Sequence, residues 1–392
     1  MPKITVPRDV YFGRGCMDAL KTIEGKKAFI VIGGGSVKKS GLLDKATGYL
    51  KEAGLEVYLF EGVENDPSVE TVRKGAVAME EFGPDWIIPI GGGSPIDAAK
   101  SMWVLYEHPD VDIYDVNPFN MPPLRKKARF LAIPTTSGTG SEVTNASVLC
   151  DYSTGVKFGV AGSEIIPDIA ILDPEATDSM PRQLIAHTGL DALTHGVESF
   201  VAKFASPFSD AYAMYAARMI FDSLPAAFEG DAGAKEAMHY AQCMAGTAFT
   251  SALLGISHCM AHKTGGMFDA GHIPHGLANA IYIPYVIQYN AKDPRAKGKY
   301  ADLARFTGVS GASDDELVAG FVEKVRTLSF SLGTPKSLKE YGVPEEEWDA
   351  KVADIAANAM GDSLIISNPR EIDQETMQKV LQYIYDGKDI DF

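Results

Sequence analysis

The sequence predicts an α/β half built on a parallel sheet, followed by a half made only of helices. Two observations carry this. Up to about residue 183, short apolar runs alternate with helical patterns, the order expected of a parallel α/β layer. After Pro181 the strand-like runs stop, and long Ala-, Met- and Leu-rich periodic segments replace them. At 392 residues the chain exceeds one ordinary core, so two domains are expected, 1–183 and 184–392.

Taken in order, KKAFIVIG (26–33) reads as a buried strand ending in a glycine cluster. LLDKATGYLKEAG (42–54) reads as a helix closed by Gly54. LEVYLFEGV (55–63) is the next strand, and the segment after Pro67 is the next helix. WIIPIGGG (86–93) is a strand running into a helix at 94–106, with RFLAIP (129–134) and DIAILDP (168–174) as further strands. The proline-rich stretch 114–127 reads as a surface loop. In the second half, helices are expected at 184–203, 207–228, 234–255, 276–290, 296–306, 314–332 and 345–360.

Composition excludes several classes. The net charge of −16 argues against nucleic acid or an anionic membrane as partner, because both are bound through basic patches. Apolar residues make up 46% and charged residues 22%, a globular balance without long disordered tracts. The four cysteines show no CxxC spacing, so neither a disulfide framework nor a thiolate zinc site is expected. Cys259, although next to His258, reads as small-residue packing. There is no secretory signal pattern and no apolar run of spanning length, so a cytoplasmic protein is expected.

Glycine clusters stand where strands lead into helices, the place where free backbone N–H groups and a helix dipole hold anions. In GGGSPIDAAK (91–100), Gly91, Gly92 and Gly93 let a pyrophosphate approach, Ser94 is placed to cap the helix, and Asp97 lies in its first turn. The GxGxxG spacing of the common dinucleotide fold is absent, since Ile96 and Lys38 occupy the third glycine position of the two clusters. PTTSGTGSEVT (134–144) adds a hydroxyl-rich cradle after a strand. In the first cluster, GGGSVKKSG (33–41), an acid at the strand end would accept the ribose 2′-OH of NAD. Gly34, Gly35 and Ser36 with Lys38 and Lys39 instead leave room and positive charge for the 2′-phosphate of NADP.

Of the eight histidines, His258, His262, His272 and His275 fall within GISHCMAHKTGGMFDAGHIPHGLANA (255–280). His258 and His262 are spaced i, i+4 and share one face of a helix, as do Asp191 and His195 in GLDALTHGVES. One carboxylate with several imidazoles suits Fe(II) or Zn(II).

Five ordered motifs, GGGSPIDAAK, PTTSGTGSEVT, GLDALTHGVES, HCMAHKTGG and IPHGLANA, together with SNPREI (367–372), resemble the iron-dependent (group III) alcohol dehydrogenases over nearly the whole chain. The resemblance implies a dehydroquinate synthase-like fold, with a dinucleotide-binding α/β domain, a helical metal-binding and substrate domain, and the active site in the cleft between them. It implies Asp191, His195, His258 and His275 as metal ligands. His275 is favoured over the additional His272 because it stands in the PHG motif itself. His262 becomes a catalytic proton relay rather than a ligand. Gly91 to Ser94, Asp97, Thr135, Thr136 and Thr139 correspond to dinucleotide contacts, Lys157 to a lysine that reaches the cofactor ribose, and Phe249 to a pocket wall. The cofactors implied are Fe2+ (or Zn2+) and NADP(H) in preference to NAD(H). The resemblance also implies a small alcohol or aldehyde substrate and a homo-oligomer.

In the expected reaction the metal polarises the substrate oxygen while hydride passes between the substrate carbon and the nicotinamide. A lyase of the dehydroquinate synthase kind shares the layout, but would need a basic cleft for its anionic substrate, and 258–275 offers only Lys263. A glycerol dehydrogenase-like polyol dehydrogenase is a further alternative. A non-catalytic scaffold would need neither the glycine turns nor the histidines.

Overall fold

A computed structural model of the chain describes residues 3–153, 156–268, 271 and 273–392. The chain divides into two compact units between Met180 and Pro181.

In the first unit the strands are β1 (Asp9–Phe12), β2 (Lys27–Val31), β3 (Glu56–Phe60), β4 (Trp86–Gly91), β5 (Arg129–Pro134), β6 (Ala146–Asp151), β7 (Val156–Ala161) and β8 (Ile169–Leu172). Its helices are α1 (Ser36–Lys39), α2 (Leu42–Glu52), α3 (Val69–Phe82) and α4 (Gly93–Glu107). Six strands form one sheet in the order β1-β8-β5-β4-β2-β3, every pairing parallel. Alternate residues of each strand serve different cores. Phe29, Val31, Ile87 and Phe130 pack with Val72, Met79, Ile96 and Trp103 of α3 and α4. Ala28, Ile30, Ile88, Leu131 and Ile133 pack with Leu42, Ala46 and Leu50 of α2. A sheet covered on both faces explains why its strands read as unbroken apolar runs. Gly54 stands just past α2 at φ +86, a left-handed conformation that a side chain would strain.

Two features were not anticipated. β1 joins the sheet at its edge beside β8, although MPKITVPRDVYF carries little strand pattern. β6 and β7 form a separate antiparallel hairpin. Ser94, expected to cap α4, does not do so: Gly92 is the N-cap residue, without a side-chain cap, and the Ser94 hydroxyl donates to the Asn65 carbonyl.

α4 is tied to β6 by buried polar groups. The fully buried Lys100 ammonium donates to the Thr144 carbonyl (2.8 Å), the Thr144 hydroxyl (3.0 Å) and the Ala146 carbonyl (2.9 Å). Burial pulls its pKa down from 10.5 to about 8, opposed by Asp97 and Glu142. Removing the cation leaves two carbonyls unsatisfied and a carboxylate uncompensated, so Lys100→Met is expected to cost about 3 kcal/mol. Between pH 8 and 10.5 the unfolded lysine keeps a proton that the folded one has lost, so wild-type stability rises with pH across that window. Chemical denaturation across this range checks both, since Lys100→Met removes that contribution.

The second unit is helical: α5 (Arg182–Val201), α6 (Pro207–Phe228), α7 (Ala232–Ala252), α8 (Ile256–Thr264), α9 (His275–Asn290), α10 (Pro294–Phe306), α11 (Asp314–Ser331), α12 (Leu338–Tyr341), α13 (Glu345–Met360) and α14 (Gln374–Asp386). α5 is the central element, packed on α6, α7 and α9, and every residue from Gly189 to Val201 is buried. α7 stops at Ala252, three residues earlier than expected, because Leu253 adopts φ 63 and turns the chain. α8 leaves at 105° to α7. α14 was not expected from the sequence, although its apolar face (Met377, Val380, Leu381, Ile384) is buried. No single described helix is long and apolar enough to cross a membrane.

Candidate functional site

Asp191 and His195 sit one turn apart on α5, and His258 lies in the first turn of α8. These three buried side chains offer ligand atoms that all lie within 4.8 Å of one another. The His258 Nε2 is 3.7 Å from Asp191 Oδ1, the His275 Nε2 is 3.6 Å from the same oxygen, and the His195 Nε2 is 4.0 Å from Asp191 Oδ2. Ligands about 2.1 Å from a tetrahedral ion stand roughly 3.4 Å apart, so these spacings need only a small contraction. Among the described residues, His258 Nε2 is buried without a hydrogen-bond partner, a costly state for a polar atom unless something binds it. The chemistry and spacing of the donor set fit a divalent transition metal. His275, the first residue of α9, is more exposed, at 39%.

Burial and the neighbouring His195, His275 and His262 push the His258 pKa well below its usual value, which keeps the imidazole neutral. Its Nδ1 faces Glu198 Oε2 at 2.6 Å. Burial raises the Glu198 carboxyl to about 8, opposed by backbone N–H groups of Ser257, Gly255 and His258. Asn279 donates to Asp191 Oδ1 (2.9 Å), has its amide nitrogen 3.1 Å from His275 Nε2, and accepts from the Ser257 hydroxyl (3.0 Å).

His262 stands apart from the carboxylate. Its Nδ1 faces Asp362 Oδ2 at 2.9 Å, and its ring stacks on His275 with centroids 5.2 Å apart. Burial alone would raise Asp362, but the hydrogen bond and charge of His262, the Leu364 N–H and Lys263 hold it at about 2. Phe249 lies against the His195 ring, with centroids 4.6 Å apart, as a wall of the cluster. Phe268 is buried against Trp348. His272 lies outside the described residues.

In the first unit the fold brings the second glycine cluster onto the hydroxyl-rich loop. The Thr135 N–H donates to the Gly91 carbonyl at 2.9 Å. A Cβ on Gly92 would lie 3.4 Å from Thr136, and one on Gly93 would lie 3.1 Å from Thr139. Asp97 is spent on the protein's own groups: its Oδ2 accepts the Val148 N–H at 3.0 Å, and Ser141 also bonds its carboxyl. Burial raises its pKa to about 6. Gly35 is the N-cap residue of α1, which Ser36 opens. Lys38 is paired with Glu61, so its charge is partly answered within the protein. Lys157 is likewise paired, with Asp66 at 2.7 Å.

Family models agree with this arrangement. Residues 7–174 match the iron-containing alcohol dehydrogenase model, and residues 185–385 match the C-terminal model of the Fe-containing alcohol dehydrogenase family. The chain belongs to the iron-containing alcohol dehydrogenases. It is 52% identical to the NADPH-dependent butanol dehydrogenase of Clostridium saccharobutylicum over the full length of both chains. It is 38% identical to aldehyde-alcohol dehydrogenase 2 of Entamoeba histolytica, matching 97% of this chain and 46% of that longer one. The iron-containing alcohol dehydrogenase of Thermococcus thioreducens superposes with a TM-score of 0.91 at 37% identity, covering 98% of this chain and 100% of that one. Within this alcohol dehydrogenase, Glu198, Asn279, Asp362 and Lys100 are the polar positions that sequence reading missed. For Glu198 a signal was present: it falls seven residues after Asp191, two turns along the same helical face.

Proposed function

We propose that this alcohol dehydrogenase interconverts small primary alcohols and aldehydes with NADP(H) in preference to NAD(H), using Fe(II) held by Asp191, His195, His258 and His275. The observation that carries the reading is the buried Asp191–His195–His258 cluster, in which His258 Nε2 has no hydrogen-bond partner among the described residues. When bound, the metal supplies Lewis-acid polarisation of the substrate oxygen, and the nicotinamide supplies or accepts hydride. Zn(II) suits the same donors, and affinity alone favours it over iron.

Each residue then has a defined task. Asp191 brings the negative charge, and its Oδ1, the oxygen that faces His258 and His275, is oriented by Asn279. The three imidazoles would each present a nitrogen lone pair to the metal. The Phe249 ring shields His195 and excludes water from one side of the cluster. The His262 Nδ1–H bonded to Asp362 leaves Nε2 free to take the proton released by the alcohol, or to return it to the product of aldehyde reduction. In the nucleotide unit, the turn Gly91–Ser94 with Thr135, Thr136 and Thr139 lines an anion cradle, and Lys157 supports it. The acidic balance of the chain supports small molecules rather than nucleic acid as partners, and the family resemblance supports a homo-oligomer.

Support for NADP(H) comes from Gly34, which is exposed and around which a Cβ would meet nothing within 4 Å. The butanol dehydrogenase relative, whose printed name gives NADPH, agrees. Butyraldehyde reduction should be measured on anaerobically stripped protein after adding back Fe(II) or Zn(II), with each nicotinamide. Turnover restored by Fe(II) and faster with NADPH is expected. Gly34→Asp should lower the NADPH-to-NADH ratio of kcat/KM roughly tenfold, by placing a carboxylate against the 2′-phosphate. An unchanged ratio removes the 2′-phosphate argument.

A further inference from the structure

The Glu198 carboxylate occupies a pocket in which both of its oxygens face donors. Oε1 accepts the Ser257 N–H at 2.8 Å, and Oε2 lies 2.6 Å from His258 Nδ1. The pocket is shaped for it, since a Cβ on Gly255, the N-cap residue of α8, would come within 2.8 Å of Oε1. Glu198 is itself almost fully buried, at 1% exposure, and sits on the same helix as Asp191 and His195. It therefore joins the helix that carries two ligands to the start of the helix that carries the third.

We propose that Glu198 is a positioning residue that sets the tautomer of His258 before any metal arrives. It accepts the Nδ1 proton, so that the buried Nε2 presents a lone pair towards Asp191 instead of a hydrogen. The proposal rests on His258 being a ligand, as argued above. An acceptor of this kind fixes the ring orientation and raises the basicity of the coordinating nitrogen. Only a carboxylate serves here. A glutamine has one acceptor and one donor end. If its amide group faces Ser257, two N–H groups oppose each other. If it faces His258, it donates to Nδ1, and the imidazole proton moves to Nε2, where the metal should sit. That Nε2 has no hydrogen-bond partner among the described residues is thus a consequence of what Glu198 does on the other side of the ring.

The test uses the full-length protein with histidine labelled in the ring nitrogens, stripped of metal and held at about pH 9, above the raised Glu198 pKa so that the carboxylate is ionised, and nitrogen NMR to read the His258 tautomer. Wild-type protein is expected to show the Nδ1–H form, and Glu198→Gln to show the Nε2–H form or a mixture. Fe(II) and Zn(II) affinity, measured by chelator competition, is expected to weaken about 10- to 100-fold in Glu198→Gln. Glu198→Asp, which keeps two acceptors, should restore part of it. A role confined to holding up the helix would lower the melting temperature of the metal-free protein without changing the tautomer. Nε2–H in metal-free wild type overturns the proposal even if the variant fails to fold, and so does unchanged metal affinity in a folded Glu198→Gln. If His258→Ala binds metal as tightly as wild type, the ligand reading itself is wrong.

Discussion

Asp191→Ala is expected to lose its metal on desalting and to fall by on the order of 1,000-fold or more in alcohol oxidation. The magnitude follows from the several kcal/mol that Lewis-acid polarisation contributes, at about 1.4 kcal/mol per factor of ten. Asp191 is the only carboxylate among the three clustered ligand residues, and the nitrogens of His195, His258 and His275 all lie within 4.0 Å of its oxygens. Its removal leaves neutral donors and a divalent cation with no charge partner beyond Glu198. Metal analysis after gel filtration, together with butanol oxidation, checks this. Nicotinamide affinity should be retained, because every residue assigned to the dinucleotide lies in the other unit. A variant that keeps one metal per chain and normal turnover would displace Asp191 from the ligand set.

Gly276→Ala should have the second-largest effect, although the residue touches no ligand through a side chain. A Cβ there would lie 2.3 Å from the His187 carbonyl oxygen and 3.3 Å from Asp191 Cβ. The first of these atoms is backbone inside α5, so α9 must move away from α5 at the point where His275 and Asp191 face each other. Overpacking of this kind costs about 1–3 kcal/mol. The displacement should weaken metal binding at least tenfold, since ligand geometry tolerates only about half an ångström of error. Thermal unfolding of the metal-free and metal-loaded forms separates the two contributions. The loss should be larger in the loaded form, and an equal loss in both would mean that only packing is disturbed. The glycine of the PHG motif is thus accounted for by helix–helix approach.

Much of this was legible beforehand because the signals are local. An i, i+4 spacing places Asp191 with His195, and His258 with His262, on shared helical faces, wherever those helices end up. Unbroken apolar runs such as KKAFIVIG and RFLAIP announce strands buried on both sides. Less was legible at the edges. The β1 strand is held by its pairing to β8, more than 150 residues away, and the β6–β7 hairpin by contacts with α4 through Lys100, Ser101 and Asp97.

The sequence by itself determined the family of the chain and the run of its strands and helices, because motifs and helix and strand periodicities are properties of neighbouring residues. Tertiary structure alone decided that His258 turns its Nδ1 to Glu198 while Nε2 faces Asp191. It also decided that Asn279 spans Asp191 and His275, and that Asp362 reaches back to His262 across 100 residues of chain. Those partners come from different helices, and which ones meet depends on packing angles and on the turn at Leu253. The reason is physical: a side chain's bonding partner is set by distances of about 3 Å, and short sequence spacing fixes such distances only within one helix or strand.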